Sequence, residues 1–217
     1  MMMNDAHITL EMLDELRASI QNSMSPKRYT HTCAVERMVA RLCELFCPEC
    51  TTELRAAALL HDITKEESLE KQLQLCREFD IIVQSGDVLA PKTFHAKTAA
   101  ALIGRDYPVF ASETVVSAVR WHTTGHADMT LGEQLLYLAD YIDDSRMFPD
   151  CVRLREYFWS ACPEKMDEAA KISHLHNTLI LSYDMTMRNL IAESVPISPD
   201  TVLSRNDLIA KRESTKK

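Results

Sequence analysis

The chain has 217 residues, 46% of them hydrophobic and 26% charged, with a formal net charge of −8. That length holds one good core or at most two small ones, and so acidic a balance argues against broad binding to nucleic acid or to an anionic membrane. With only four glycines a phosphate-cradling glycine loop is nearly excluded, so bound phosphates would be held by metal ions, basic side chains and helix N-termini.

Helical periodicity runs through the whole chain, with no convincing period-two alternation. Ile8 to Ile20 reads as an amphipathic helix. Ser25-Pro26 starts a second, with a capping hydroxyl followed by proline in the first turn; it carries Cys33, Met38, Leu42 and Leu45 and stops before Pro48. Thr51 or Thr52 caps a third, with Glu53 at its positive end, which runs through Ala56-Ala57-Ala58 to His61-Asp62. Ser68 to Phe79 is helical, Ile81 to Pro91 is a loop with one short extended piece, and Phe94 to Ile103 is a helix ending at Gly104. Ser112 caps the helix that delivers Trp121-His122. Leu131 to Ile142 is strongly apolar and bears Asp140. Cys151 to Ser160 and Met166 to Ala192 are helices, Ser198-Pro199 opens the last one, and Lys211 to Lys217 is a solvated tail. The expected fold is all-α: a single-domain helical bundle, with residues 1–24 as an N-terminal helix packed on a domain of residues 25–210 and a tail over 211–217.

The seven cysteines are an odd number. No export signal opens the sequence and no apolar run approaches a membrane span, so the expectation is a cytoplasmic protein with free thiols buried as small apolar residues. Cys43-x3-Cys47-x2-Cys50 has the spacing of an iron–sulfur motif, but Cys43 and Cys47 lie a helical turn apart in an apolar stripe, which packing explains.

The pair His61-Asp62 closes an apolar run, Leu54 to Leu60. His31 lies upstream, and His95, His122 and Asp140 lie downstream, each on a helix or helix end. Imidazoles and carboxylates gathered from separate helices make a nitrogen/oxygen site suited to a divalent metal that activates water. Asp62 and Asp140 both sit in apolar surroundings, where an uncompensated carboxylate is costly; a shared ion accounts for both.

The order His31, His61-Asp62, Asp140 resembles the H…HD…D signature of the HD-domain metal-dependent phosphohydrolases. The strings KRYTHT (Lys27 to Thr32), ALLHDITKE (Ala58 to Glu66), WHTTG (Trp121 to Gly125) and LADYIDDSR (Leu138 to Arg146) resemble the YqeK-type subfamily, and Ile197 to Thr201 fits its C-terminal segment. The likeness covers about residues 25 to 210. It departs where Asp143-Asp144-Ser145 replaces a common Glu-Pro-Gly and where Phe94-His95-Ala96 replaces a histidine-glycine.

The resemblance implies an all-helical, iron-binding, symmetrical bis(5'-nucleosyl)-tetraphosphatase that cuts diadenosine tetraphosphate into two ADP. By position, it implies His31, His61, Asp62 and Asp140 as metal ligands. It implies Lys65, His95, His122, Thr123 and Arg146, together with Asp140, as the residues around the phosphates, and Ser198, Pro199 and Thr201 in a nucleotide-pocket segment. Asp62, Lys65 and His122 are the candidate catalytic residues. Manganese, nickel, cobalt or zinc fit the same ligands chemically, and His95 with His122 is open to a second metal. Arg146 is equally open to pairing with Asp143 or Asp144, and Lys65 to being a solvated helix-end cation. The alternatives are another HD-type nucleotidase, triphosphohydrolase or phosphodiesterase, or an ADP-binding module without turnover. The assembly is open, a homodimer among the options, and no nucleic-acid or membrane partner is expected.

Overall fold

The structure is a computed structural model that describes residues 8–83, 88 and 90–214. Among the described residues all regular structure is helical: α1 Leu10–Ile20, α2 Pro26–Phe46, α3 Thr51–Leu60, α4 Leu69–Glu78, α5 Phe94–Asp106, α6 Glu113–Trp121, α7 Leu131–Ile142, α8 Pro149–Ser160, α9 Glu168–Ala192 and α10 Pro199–Ser214. None of these helices is long and apolar enough to cross a membrane. Within the loop expected over Ile81 to Pro91 with one short extended piece, residues 84–87 and 89 lie outside the described residues.

α3 is the axis of the bundle. Leu54, Ala56, Ala57, Ala58, Leu59 and Leu60 are all buried. A helix apolar on every side belongs in a core, and its alanines let neighbouring helices approach closely. α2, α6, α7 and α1 pack around it. α1 begins where the Thr9 hydroxyl accepts from the Met12 amide, and it buries Leu13, Leu16 and Ile20. Glu36, only 3% exposed, fastens this corner: it accepts from Arg17 of α1 at 2.7 Å and from Arg55 of α3 at 2.9 Å. A buried carboxylate held by two guanidinium forks avoids the cost of an unpaired charge.

A second tie crosses the start of α2. Ser25 caps the helix by accepting from the Arg28 amide, and Glu66 accepts from both the backbone N–H and the hydroxyl of Ser25, at 2.8 and 2.6 Å. Glu66 stands four residues after Asp62, so the turn that follows the His-Asp pair is bonded to the first turn of the helix that carries His31.

Several boundaries differ from the sequence reading. α3 starts at Thr51 itself, with Cys50 at the cap position and no side-chain cap bond; the Thr51 hydroxyl instead donates back to the Pro48 carbonyl. α5 continues through Gly104 to Asp106 and ends at Tyr107, because Gly104 keeps helical geometry. α8 begins at Pro149, the favoured first helical position for proline. α10 continues past Lys211 to Ser214, with Lys211 pairing with Asp207 and Asp128 at 2.7 and 3.1 Å.

The expectation of uniformly free thiols is corrected. Cys47 and Cys50 form a disulfide across the α2–α3 corner. Cys47 caps a 3-10 turn over residues 48–50, and the Cys50 amide donates back to the Cys47 carbonyl at 3.0 Å, which brings the two residues together. Cys43 stays free and buried, and burial pushes its thiol up to about 12. With two of its three sulfurs bonded to each other, the 43–47–50 spacing offers no trio of thiolates.

Candidate metal centre

Five elements bring the candidate residues to one place. α2 supplies His31. The C-terminal end of α3 supplies His61, and the turn after it Asp62. α5 supplies His95, the cap of α6 His122, and α7 Asp140. His31, His61, Asp62, His95 and His122 are each less than 10% exposed.

His31 Nε2 lies 3.0 Å from Asp140 Oδ1 and 3.7 Å from Asp62 Oδ2. His61 Nε2 lies 3.3 Å from Asp62 Oδ2 and 3.7 Å from Asp140 Oδ1. The opposite ring nitrogens are engaged elsewhere. His61 Nδ1–H donates to the Ala58 carbonyl at 2.7 Å, and His31 Nδ1 faces Asp143 Oδ2 at 3.3 Å. Each ring has spent its proton away from the centre, so each turns an Nε2 lone pair toward carboxylate oxygens. Both Nε2 atoms are buried without a hydrogen-bond partner. Lone pairs and anionic oxygens at such distances repel unless a cation lies among them. The two imidazoles and two carboxylates therefore fit a divalent metal of the nitrogen/oxygen class, and His31, His61 and Asp140 have ligand atoms close enough together to share one ion.

The electrostatics state the same demand. Burial opposes charging the His61 ring, yet Asp62 and Asp140 outweigh it and the ring is pushed up to about 10. Burial opposes ionising the two carboxyls as well. His61, His122 and His95 nonetheless hold Asp62 well below the usual carboxylate range, and Arg146, His31 and His61 do the same for Asp140.

A second pole lies on the far side of Asp62. Its Oδ1 is 3.2 Å from His95 Nε2, 3.7 Å from His122 Nε2 and 3.9 Å from Lys65 Nζ. His95 and His122 give their Nδ1 protons to the Lys92 and Val119 carbonyls, both at 2.7 Å. Their Nε2 atoms meet 3.0 Å apart. The Thr123 hydroxyl is 3.1 Å from both, and Lys65 Nζ is 3.0 Å from His95 Nε2. Burial pushes His95 down to about 4 and also lowers His122 and Lys65. Neutral rings thus present acceptors that an ammonium, a hydroxyl, a proton or a cation can fill. His61, Asp62 and His122 form a second set with ligand atoms close enough to share an ion. Lys65, its side chain 31% exposed, thus turns its ammonium toward His95 and Asp62.

Arg146 joins the first pole, with NH2 2.5 Å from Asp140 Oδ1 and Nε 3.4 Å from Asp143 Oδ2. Of its two alternative partners, Asp143 is taken and Asp144 is exposed, facing Arg41 and Arg155 at 3.9 Å. Ser198, Pro199 and Thr201 stand at the start of α10. Among the described residues no hydrogen bond links their side chains to the cluster; α10 instead lies against the 125–129 turn, through Ser204 on Met129 and Asp207 on Asp128. Of the aromatic residues, Phe110 is core and Trp121 stacks on His126, whereas Tyr141 and Phe148 line a cleft beside Arg146.

The HD domain family model matches residues 28–144, from three residues before His31 to four after Asp140. The chain belongs to the HD-domain family. A "Bis(5'-nucleosyl)-tetraphosphatase, symmetrical" of Bacillus subtilis (strain 168) is 30% identical over 199 residues, covering 91% of this chain and 97% of the relative. One of the same description from Staphylococcus aureus is 27% identical, covering 82% and 89%. The crystal structure of a "predicted HD superfamily hydrolase involved in NAD metabolism" from Clostridium acetobutylicum superposes with a TM-score of 0.78 at 27% identity, covering 91% of this chain and 97% of that one. The HD domain here is an all-helical, metal-dependent phosphohydrolase.

Two residues of this HD domain went unassigned in the sequence reading. Arg28 NH1 bonds Asp62 Oδ2 at 2.5 Å; its place one turn before His31, on the same helix face, was the available signal. Asp143, fully buried, orients the His31 ring from behind, and the Ser145 backbone and hydroxyl donate to it. A carboxylate behind a ligating imidazole fixes its tautomer, but the sequence showed it only as one of two adjacent aspartates.

Proposed function

We propose that the chain hydrolyses dinucleoside tetraphosphates symmetrically, converting diadenosine tetraphosphate to two ADP. The observation that carries this reading is the two-sided use of Asp62: one oxygen serves the His31–His61–Asp140 pole, the other the His95–His122–Lys65 pole. A polyphosphate laid across Asp62 meets a metal at one phosphate and hydrogen-bonding groups at the next. The relatives named as symmetrical tetraphosphatases, alike over most of both chains, support the substrate class.

His31, His61, Asp62 and Asp140 would hold the ion. The resemblance favours iron, and manganese, nickel, cobalt and zinc suit the same donors. When bound, the ion would lower the pKa of its bound water to about 7 and would draw charge from a phosphoryl oxygen. The remaining work belongs to the chain. Arg28 and Arg146 hold the carboxylates in place from either side and turn their remaining N–H groups to phosphate oxygens. Lys65 and Thr123 donate to the phosphate at the second pole. His122, held by Val119, takes up a proton at Nε2 as the anionic substrate arrives and passes it to the leaving diphosphate.

The deciding experiment is product analysis on metal-counted protein with a panel of dinucleoside polyphosphates, NAD and mononucleotides. Two equal ADP products from the tetraphosphate support the reading. ATP plus AMP, or activity on mononucleotides alone, replaces it with another HD-type hydrolase, and tight ADP binding without turnover replaces it with a binding module. Arg146→Ala should raise KM for the tetraphosphate about tenfold or more, the scale of one charge-assisted phosphate contact, with metal content near that of the parent protein; loss of metal instead would make Arg146 a structural support of Asp140.

A further inference from the structure

A cleft of about 680 Å3 opens beside the first pole, with His31 in its wall. Lys27, Arg28, Thr30, Arg146, Met147 and Phe148 line it together with Ser145. A smaller cleft of about 370 Å3 lies on the other side of Arg146 and Phe148, walled by Tyr141 and Asn189. The two clefts share only Arg146 and Phe148.

Resting on the reading above, we infer that the larger cleft is the subsite for the second nucleoside of the substrate, with Lys27 and Met147 as its specificity-determining residues. Three features of its wall carry this. First, the charged side chains in its wall are the cations Lys27, Arg28 and Arg146; Arg28 and Arg146 hold Asp62 and Asp140 with part of their guanidinium groups, and their remaining N–H groups, with the exposed Lys27 ammonium, are donors for phosphate oxygens. Second, Met147 and Phe148 are 75% and 68% exposed. Large apolar side chains left in water beside a cationic strip match a ligand with a flat base at one end and phosphate at the other, whereas inorganic polyphosphate has no use for them. Third, the volume lies within the range of about 300 to 1,000 Å3 of small-molecule sites. Arg146, on the first pole, then meets the phosphates of the arm that enters this cleft.

The test compares diadenosine tetraphosphate with adenosine 5'-tetraphosphate, which presents the same middle anhydride but lacks the second nucleoside. The double variant Lys27→Ala/Met147→Ala alters exposed positions that line only the larger cleft, and a melting curve verifies its fold. The ratio of kcat/KM for the dinucleotide over that for the mononucleoside substrate should fall about tenfold, the scale of one charge contact plus one apolar contact, with the loss in KM rather than kcat. An unchanged ratio in the double variant, with the wild-type chain active on the tetraphosphate, overturns this subsite and leaves the proposed function standing. A wild-type chain that cleaves neither substrate overturns the proposed function and the subsite with it.

Discussion

His61→Ala gives a protein that folds, purifies without metal and has lost hydrolysis by about a thousandfold or more, the several kcal/mol that a Lewis-acid site supplies to phosphoryl chemistry. His61 is fully buried and its Nε2 has no hydrogen-bond partner within the protein, so what the substitution removes from the centre is a donor atom for a cation. Asp62→Asn tests the same point from the other side. It keeps the shape of the side chain but removes the charge that Arg28, His61, His95 and His122 converge on. Metal content by elemental analysis, alongside a melting curve, separates loss of the ion from loss of the fold. A His61→Ala protein that retains one equivalent of metal and full activity would sink the assignment.

Gly125→Ala should be among the most destabilising single-methyl additions in the chain. Gly125 has φ of +62°, where an alanine pays about 1–2 kcal/mol. A Cβ there would lie 2.0 Å from Tyr183 Oη, 2.7 Å from Ser204 Oγ and 2.9 Å from Met129 Sδ. Tyr183 is fully buried and accepts a hydrogen bond from Ser204 at 2.8 Å, so it has nowhere to retreat. Strain and overpacking together come to about 3 kcal/mol, a fall in Tm of about 10 °C for a chain of this size. Because Gly125 ends the turn that carries His122 and Thr123, activity should fall more than the melting point alone implies. Gly104→Ala is the matched control: nothing lies within 4 Å of the added carbon, and in a helix interior the change should be neutral or stabilising by about 1 kcal/mol.

The parts of the fold that local chemistry dictates were legible in advance. Ser25 and Ser112 each cap a helix, as a short hydroxyl before an apolar period should, and α7 spans Leu131–Ile142. The misses share a cause. At Thr51, Gly104 and the Cys47–Cys50 pair the surroundings override the usual behaviour of the residue type: a 3-10 turn before α3, a helix continued through a glycine, two cysteines brought together by that turn. At the site, the residues that had to converge were visible, because several histidines and two stranded carboxylates share one explanation. Arg28 and Asp143 were not, because their roles depend on which ring nitrogen faces which oxygen. Spacing along a chain does not encode that.

Glu66 has one more consequence. Its bonds to Ser25 close a short circuit between the turn holding Asp62 and the helix holding His31, bypassing the hairpin that joins α2 to α3 at its distant tip. The alignment of these two ligands is thereby insulated from that tip. Loop lengthening, trimming or reduction of the sulfur bridge there can proceed with the ion cradle still in register, whereas Glu66→Ala, an exposed change far milder in appearance, should loosen it.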